Sequence, residues 1–112
     1  MDSHDFTRPI FAPVILGTSR QGRASEHAAG FVVDHVSKRT DMRTELVDIR
    51  NIRVSIDDAG EALKDPRFSG TVNEADALIF VVPEYNHSFP GLLKHVLDTN
   101  LKEYIHKAAG VC

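Results

Sequence analysis

The sequence has a single cysteine, Cys112, among its 112 residues. One cysteine excludes an internal disulfide and fits a reducing compartment, so we expect a cytoplasmic protein. The N-terminal stretch lacks the basic region and the long apolar run of a secretory signal. The apolar runs are also far shorter than the roughly 20 residues that cross a bilayer, so no membrane partner is predicted.

The sequence also lacks an excess of positive charge. Its net charge is -3, which offers no general attraction to nucleic acids or to membrane surfaces. None of the six histidines forms an H-x-x-x-H pair or lies beside a cysteine, so no metal site is expected. With 42% hydrophobic and 26% charged residues, the composition is that of an ordinary soluble globular domain.

Short apolar segments alternate with helical patterns along the chain. The apolar segments predict strands at 12–17, 44–49, 76–83 and 108–112, the last being the start of a fourth strand. Helical patterns cover 24–39 and about 88–100, with a short helix at 71–75 and a possible helical turn in 101–107. This alternation predicts a parallel sheet with helices on both faces. Residues 1–10 are polar and contain Pro9, so we expect a flexible arm before a domain at 11–112.

The loop after the first predicted strand, "GTSRQGR", leads into a helix. Unpaired N–H groups and the helix dipole make such a position suitable for an anion. The Ser19 hydroxyl can donate a hydrogen bond there, and Arg20 and Arg23 can add charge-assisted ones. The loop has neither the G-x-G-x-x-G of dinucleotide sites nor the G-K-[ST] of a P-loop. Taken alone, it is equally compatible with a plain turn that carries solvated arginines.

The loop after the third predicted strand, "PEYNHSF", is rich in polar and aromatic groups. In the flavodoxin-like strand order 2-1-3-4-5, ligands bind between strands 1 and 3, which are the strands that these two loops follow. A flat polar ring carried on a phosphate tail would satisfy both loops. Alternatives remain open for three side chains: Tyr85 can pack on the core, Glu84 can form a surface ion pair, and His87 can be solvated.

The segments "GTSRQGR" and "PEYNHSFPGLLK" resemble the NAD(P)H-dependent FMN reductase family, flavodoxin-like proteins that include quinone, azo-dye and chromate reductases. The resemblance extends from Pro13 to Cys112 and implies a flavodoxin-like, doubly wound α/β fold that binds FMN. It implies that the FMN phosphate is held by Ser19, Arg20, Gln21 and Arg23. The isoalloxazine ring would be bordered by Pro83, Glu84, Tyr85 and Asn86, with His87 and Ser88 completing the turn.

The resemblance also implies a reaction. A hydride would pass from NADPH or NADH to FMN, and the electrons would then pass to a small acceptor such as free flavin or a quinone. Because the cofactor carries this chemistry, no catalytic side chain is expected. The resemblance further implies a homodimer or homotetramer, with no nucleic-acid partner.

Two other functions are compatible with the same residues. One is an FMN-binding electron carrier or redox-sensing module without efficient NAD(P)H turnover, and the other is a phosphate-binding or assembly fragment. Members of the resembled family continue after the fourth strand into a glycine-rich loop, a helix and a fifth strand. We therefore expect an incomplete sheet that lacks the C-terminal part of the domain. Such a chain is expected to associate and to bind FMN weakly.

Overall fold

The computed structural model describes residues 8–18, 25–52, 65–83, 91–100 and 102–112. Within these ranges the strands are β1 (Ile10–Phe11), β2 (Val14–Leu16), β3 (Met42–Arg43), β4 (Leu46–Asp48), β5 (Ala77–Val81) and β6 (Ala108–Val111). The helices are α1 (Ser25–Ser37), α2 (Pro66–Glu74) and α3 (Gly91–Leu97), and short 3-10 turns cover Ile49–Asn51 and Lys102–Tyr104. The turn at Lys102–Tyr104 confirms the helical turn predicted within 101–107.

The main sheet has the strand order β4-β2-β5-β6, and every pair in it is parallel. Counted as the four predicted strands, this is the order 2-1-3-4, so the predicted flavodoxin-like arrangement is confirmed. β6 pairs with β5 along its whole length, which confirms the start of the fourth strand. The described sheet therefore holds the first four strands of the five-strand order, as expected for an incomplete flavodoxin-like domain.

The first predicted strand is interrupted at Pro13 and consists of β1 and β2. Its neighbour is likewise interrupted and consists of β3 and β4. β1 pairs with β3 in the same register in which β2 pairs with β4. Pro13 lies between β1 and β2 and has no N–H, so it cannot donate to the ladder there. Beside it, the Thr44 hydroxyl donates to the Ala12 carbonyl at 2.7 Å. The first strand thus begins before the predicted segment 12–17.

The core lies on both faces of the sheet, because successive side chains of a strand point to opposite sides. Ile15 of β2 packs with buried residues of α2 and α3, whereas Val14 and Leu16 pack with Ala29 of α1. Val36 completes the buried face of α1. This arrangement is the doubly wound architecture that the alternating pattern predicts.

The helical spacing of Ala28, Phe31, Val32, His35 and Val36 predicts one buried side of α1, and this prediction was wrong for Ala28, Phe31 and His35, which are exposed. Phe31 is 64% exposed, and His35 is exposed and stacks on it with ring centroids 4.2 Å apart. The helix instead packs through Ala29, Val32 and Val36. Apolar residues occur on two sides of this helix, so periodicity alone did not show which side meets the sheet.

The helix predicted at 71–75 begins earlier, at Pro66. Asp65 caps it by accepting a hydrogen bond from the Phe68 N–H at 2.9 Å, and proline occupies the start of the helix. An aspartate followed by proline is a helix-start signal that the sequence analysis overlooked. The longer helix buries Phe68 and Val72 against the sheet.

α3 carries Leu93 and Val96 on its buried side. On its exposed side Lys94 pairs with Asp98, as the spacing of four residues predicts. The sequence also predicts a helix cap at Ser88 or Phe89, and both lie outside the described residues. Within the described ranges, no helix is long and apolar enough to cross a membrane, and no group of acidic, histidine and cysteine side chains could hold a metal ion.

Asp76 ties the N-terminal segment to the sheet. Its carboxylate accepts two hydrogen bonds from Arg8, at 2.7 and 2.9 Å, and one from the Phe11 N–H at 2.8 Å. The Arg8 hydrogen bonds, with help from Phe11, hold the pKa of Asp76 below its usual value even though partial burial raises it. The division between an arm at 1–10 and a domain stays a prediction, although Arg8 and Ile10 are attached to the sheet.

We expect Asp76→Asn to lower the free energy of unfolding by about 1 kcal/mol at pH 7, because charge-assisted hydrogen bonds weaken. The folded-state pKa is depressed, so the carboxylate stabilises the fold at neutral pH and this contribution is lost as the pH falls below about 4. Denaturant unfolding at pH 7 and pH 3 measures both effects. The control is Asp41→Asn, since Asp41 forms a similar but more exposed pair with Arg39 and should change little. Equal losses in both variants would contradict this role of Asp76.

Candidate functional site

The carboxyl ends of β2 and β5 lie side by side. Leu16 is the register partner of Val81, and the Gly17 N–H donates to the Val81 carbonyl at 2.9 Å. The two polar loops predicted to form the site begin just after these strand ends, at Gly17 and Pro83. Both therefore begin at the same edge of the sheet. β4 lies on the other side of β2, and the chain order of the strands reverses here. Ligands of doubly wound sheets bind at such a reversal.

Among the predicted site residues, Pro83 lies within the described part of the chain. It is partly buried and lies two residues after the end of β5, at the carboxyl edge of the sheet. The remaining predicted residues, Ser19, Arg20, Gln21, Arg23, Glu84, Tyr85, Asn86, His87 and Ser88, lie outside the described residues. The structure therefore brings the starts of the two loops together, and the role of each of these side chains stays a prediction.

Gly17 sets how closely α3 approaches the start of the first loop. A Cβ at this position would lie 2.5 Å from Val82 Cγ1 and 2.8 Å from Leu93 Cδ2, which is closer than such atoms normally pack. The next residue, Thr18, is only 1% exposed, so the chain remains in the core until the loop begins. Sequence reasoning did not assign this packing role to Gly17. A glycine at the end of an apolar strand is a signal for close approach and could have indicated it.

The start of α1 carries charged side chains. Glu26 lies in the first turn of α1, and the Arg50 guanidinium is 3.9 Å from its carboxylate. Arg50 also lies 3.3 Å from the Asp48 carboxylate at the end of β4, and the Arg50 N–H donates to the same side chain at 3.0 Å. Sequence reasoning missed Arg50, because it lies in a stretch with no clear periodicity.

Residues 13–112 match the model of a protein family described as NADPH-dependent FMN reductase. The chain is 45% identical over 38 residues to a quinone reductase of Pseudomonas putida, covering 34% of this chain and 20% of that protein. It is 43% identical over 61 residues to an NAD(P)H-dependent FMN reductase of Pseudomonas aeruginosa, covering 51% of this chain and 32% of that one. The fold is similar to that of a solved NADH:FMN oxidoreductase in its apo form. That structure has a TM-score of 0.69 and 23% identity, and the match covers 89% of this chain and 55% of that one. The chain thus spans about half of the solved protein and less of the two curated relatives.

We expect Gly17→Ala to lower the free energy of unfolding by about 1–3 kcal/mol, because the added methyl group would force Val82 and Leu93 to move. Denaturant unfolding measures the loss. Gly30→Ala is the matched control, since a Cβ there meets nothing within 4 Å and alanine favours the helix that contains it. If Gly17→Ala were as stable as Gly30→Ala, the close approach of α3 would not constrain this edge.

Proposed function

This chain belongs to the NADPH-dependent FMN reductase family, and from that premise we propose that it binds FMN across the carboxyl ends of β2 and β5. We propose that the protein that contains these residues is an NAD(P)H-dependent oxidoreductase. When bound, FMN would supply the hydride acceptor for NADPH or NADH and the electron donor for a small acceptor.

One observation carries the proposal beyond family membership. The register between Leu16 and Val81 supports it, because the two strand ends that lead into the predicted loops are neighbours at the strand-order reversal. If β5 were not the neighbour of β2, the two strand ends would lie apart and a single ligand would not reach both loops. The sheet order therefore supports one shared site.

Two groups of residues would bind different parts of FMN. In this proposal Ser19, Gln21 and the arginines Arg20 and Arg23 hold the phosphate where α1 begins, because N–H groups and cations stabilise an anion there. Pro83, Glu84, Tyr85 and Asn86 border the ring, with His87 and Ser88 closing the turn. The described residues fit this placement, since Pro83 and the start of α1 lie at the edge from which the two loops leave.

We propose free flavin or a quinone as the electron acceptor. The quinone reductase of Pseudomonas putida is among the relatives with the higher identity to this chain, which supports a quinone. The names of the relatives include both NAD(P)H and NADH as donors, so either nicotinamide cofactor fits the proposal.

We also propose a homodimer or homotetramer in the cytoplasm. Phe31, a large apolar side chain on α1 that is 64% exposed, supports association. The single cysteine supports a reducing compartment, because proteins of oxidising compartments more often use disulfides.

The proposed reaction is tested by adding FMN to the purified chain and then NADPH or NADH without oxygen. We expect FMN to bind weakly, with a shift in its visible spectrum, and the bound flavin to bleach when the nicotinamide is added. Binding without bleaching would favour the electron carrier or redox-sensing module instead. Absence of FMN binding would overturn the proposal and leave the phosphate-binding fragment.

Arg20→Ala tests the phosphate end of the site. We expect FMN to bind about thirtyfold more weakly, since a charge-assisted hydrogen bond is worth roughly 2 kcal/mol. Riboflavin has no phosphate, so its affinity should not change. Fluorescence titration of both flavins gives the two dissociation constants, and Arg67→Ala, on the exposed side of α2, serves as the control. An equal loss for riboflavin would mean that Arg20 acts through folding.

A further inference from the structure

The side of α1 that faces away from the sheet presents an aromatic side chain to solvent. Ala29 and Val36 are the buried residues of this helix, whereas Phe31 is 64% exposed. The His35 ring stacks on Phe31 with the two centroids 4.2 Å apart, so the pair forms a small aromatic surface. A single exposed apolar side chain is ordinary in a folded protein. The neighbours of Phe31 therefore decide whether it belongs to a contact surface.

Four exposed residues form what we call the outer side of α1: His27, Gly30, Phe31 and Asp34. Spacings of three and four residues place them on one side of the helix. A Cβ at Gly30 would meet nothing within 4 Å in the described part of the chain, so no packing contact there requires a glycine. Glycine in a helix interior costs about 1 kcal/mol relative to alanine. The missing side chain leaves room for another molecule to approach this side closely.

A second copy of α1 complements this side when the two helices run antiparallel about a two-fold axis. In such a contact, if residue i meets residue j, then j also meets i. His27 precedes Gly30 by three residues, and Asp34 follows Phe31 by three. If each Phe31 lies level with the partner's Gly30, each His27 therefore lies level with the partner's Asp34. The aromatic ring then fills the space that glycine leaves, and an imidazole N–H faces a carboxylate.

The charge already present on this side does not oppose the contact. Asp34 pairs with Lys38 of the same helix at 3.0 Å, and the Asp34 side chain is still 65% exposed. A carboxylate has about four acceptor positions, so Asp34 can accept a hydrogen bond from an imidazole and keep its pair with Lys38.

The size of the contact sets its strength. α1 has 13 residues, which makes it about 20 Å long. One helix side of this length covers less than the roughly 800 Å² that each partner buries in a standard interface. We therefore expect a weak and reversible dimer.

We propose that the outer side of α1 binds the same side of a second copy of this chain, with Phe31 packed against the partner's Gly30 and His27 bonded to the partner's Asp34. This inference rests on the homodimer of the proposed function and names the surface that forms it. None of the four residues is among those proposed to bind FMN. Association and flavin binding can therefore be tested separately.

Sedimentation equilibrium without flavin gives the dimer dissociation constant of the unmodified chain, Phe31→Ala and Gly30→Gln. Denaturant unfolding at low protein concentration gives the stability of each monomer. Ile105→Ala is the matched control, because Ile105 is also a large apolar residue, is 58% exposed and lies outside α1.

We expect Phe31→Ala to weaken the dimer about tenfold, the size of the loss when a central aromatic contact is removed. Gly30→Gln should weaken it at least as much, because the new side chain occupies the space of the partner's ring. The same variant should stabilise the monomer, since glutamine favours a helix more than glycine does. A gain in stability together with a loss of association separates a contact role from a folding role. Ile105→Ala should change neither quantity.

An exchange of charges tests the antiparallel arrangement. His27→Asp and Asp34→His should each weaken the dimer about threefold, as expected for an exposed pair. The double variant His27→Asp/Asp34→His should restore the association, because each aspartate again faces a histidine of the partner.

A chain that stays monomeric at every concentration would overturn the inference. So would a dimer that neither Phe31→Ala nor Gly30→Gln weakens, since association would then use another surface. A double variant that stays as weak as the single ones would overturn the antiparallel pairing. If Phe31→Ala does not fold, Gly30→Gln decides. The FMN titration of the unmodified chain is independent of these results, so the failure of the proposed reaction and the failure of this inference are distinguishable.

Discussion

The parallel pairing of β2 with a strand on each side is the constraint on which the rest of the structure depends. All three residues of β2 are fully buried, so the strand requires apolar cover on both faces. α1 supplies one cover and α2 with α3 the other, which places helices on both sides of the sheet. Because parallel strands point the same way, their carboxyl ends gather at one edge. The position of the candidate site follows from this arrangement.

That edge combines close packing with polar loops. Gly17 lets Leu93 approach the end of β2, and Thr18 remains buried up to the start of the first loop. The loops that follow β2 and β5 therefore begin from a tightly packed base. On the other side of β2, Asp48 holds Arg50 towards the first turn of α1. The elements at this edge are therefore positioned by their pairing with β2. The charges of Asp48 and Arg50 lie here because β4 pairs with β2 and ends at the same edge.

Much of the fold could be predicted from local patterns. The apolar runs at 12–17 and 76–83 predicted the two inner strands, and the spacing of Lys94 and Asp98 predicted their ion pair. The start of α2 was also readable in principle, because an aspartate followed by proline marks a helix start. The buried side of α1 was not readable, since Phe31 is apolar and yet exposed. A helix with apolar residues on two sides does not show by its period alone which side meets the sheet.

The sequence by itself determined the alternation of strands and helices and the two polar loops, because these depend on residues close together in the chain. Their resemblance to a known family was visible in the same short segments. The tertiary structure decided which loops are neighbours in space, how closely α3 approaches Gly17, and that Arg50 lies near Glu26. These features join residues far apart in the sequence. They depend on the order and register of the strands. Hydrogen bonds and core packing together select that order and register, and no local sequence pattern encodes them.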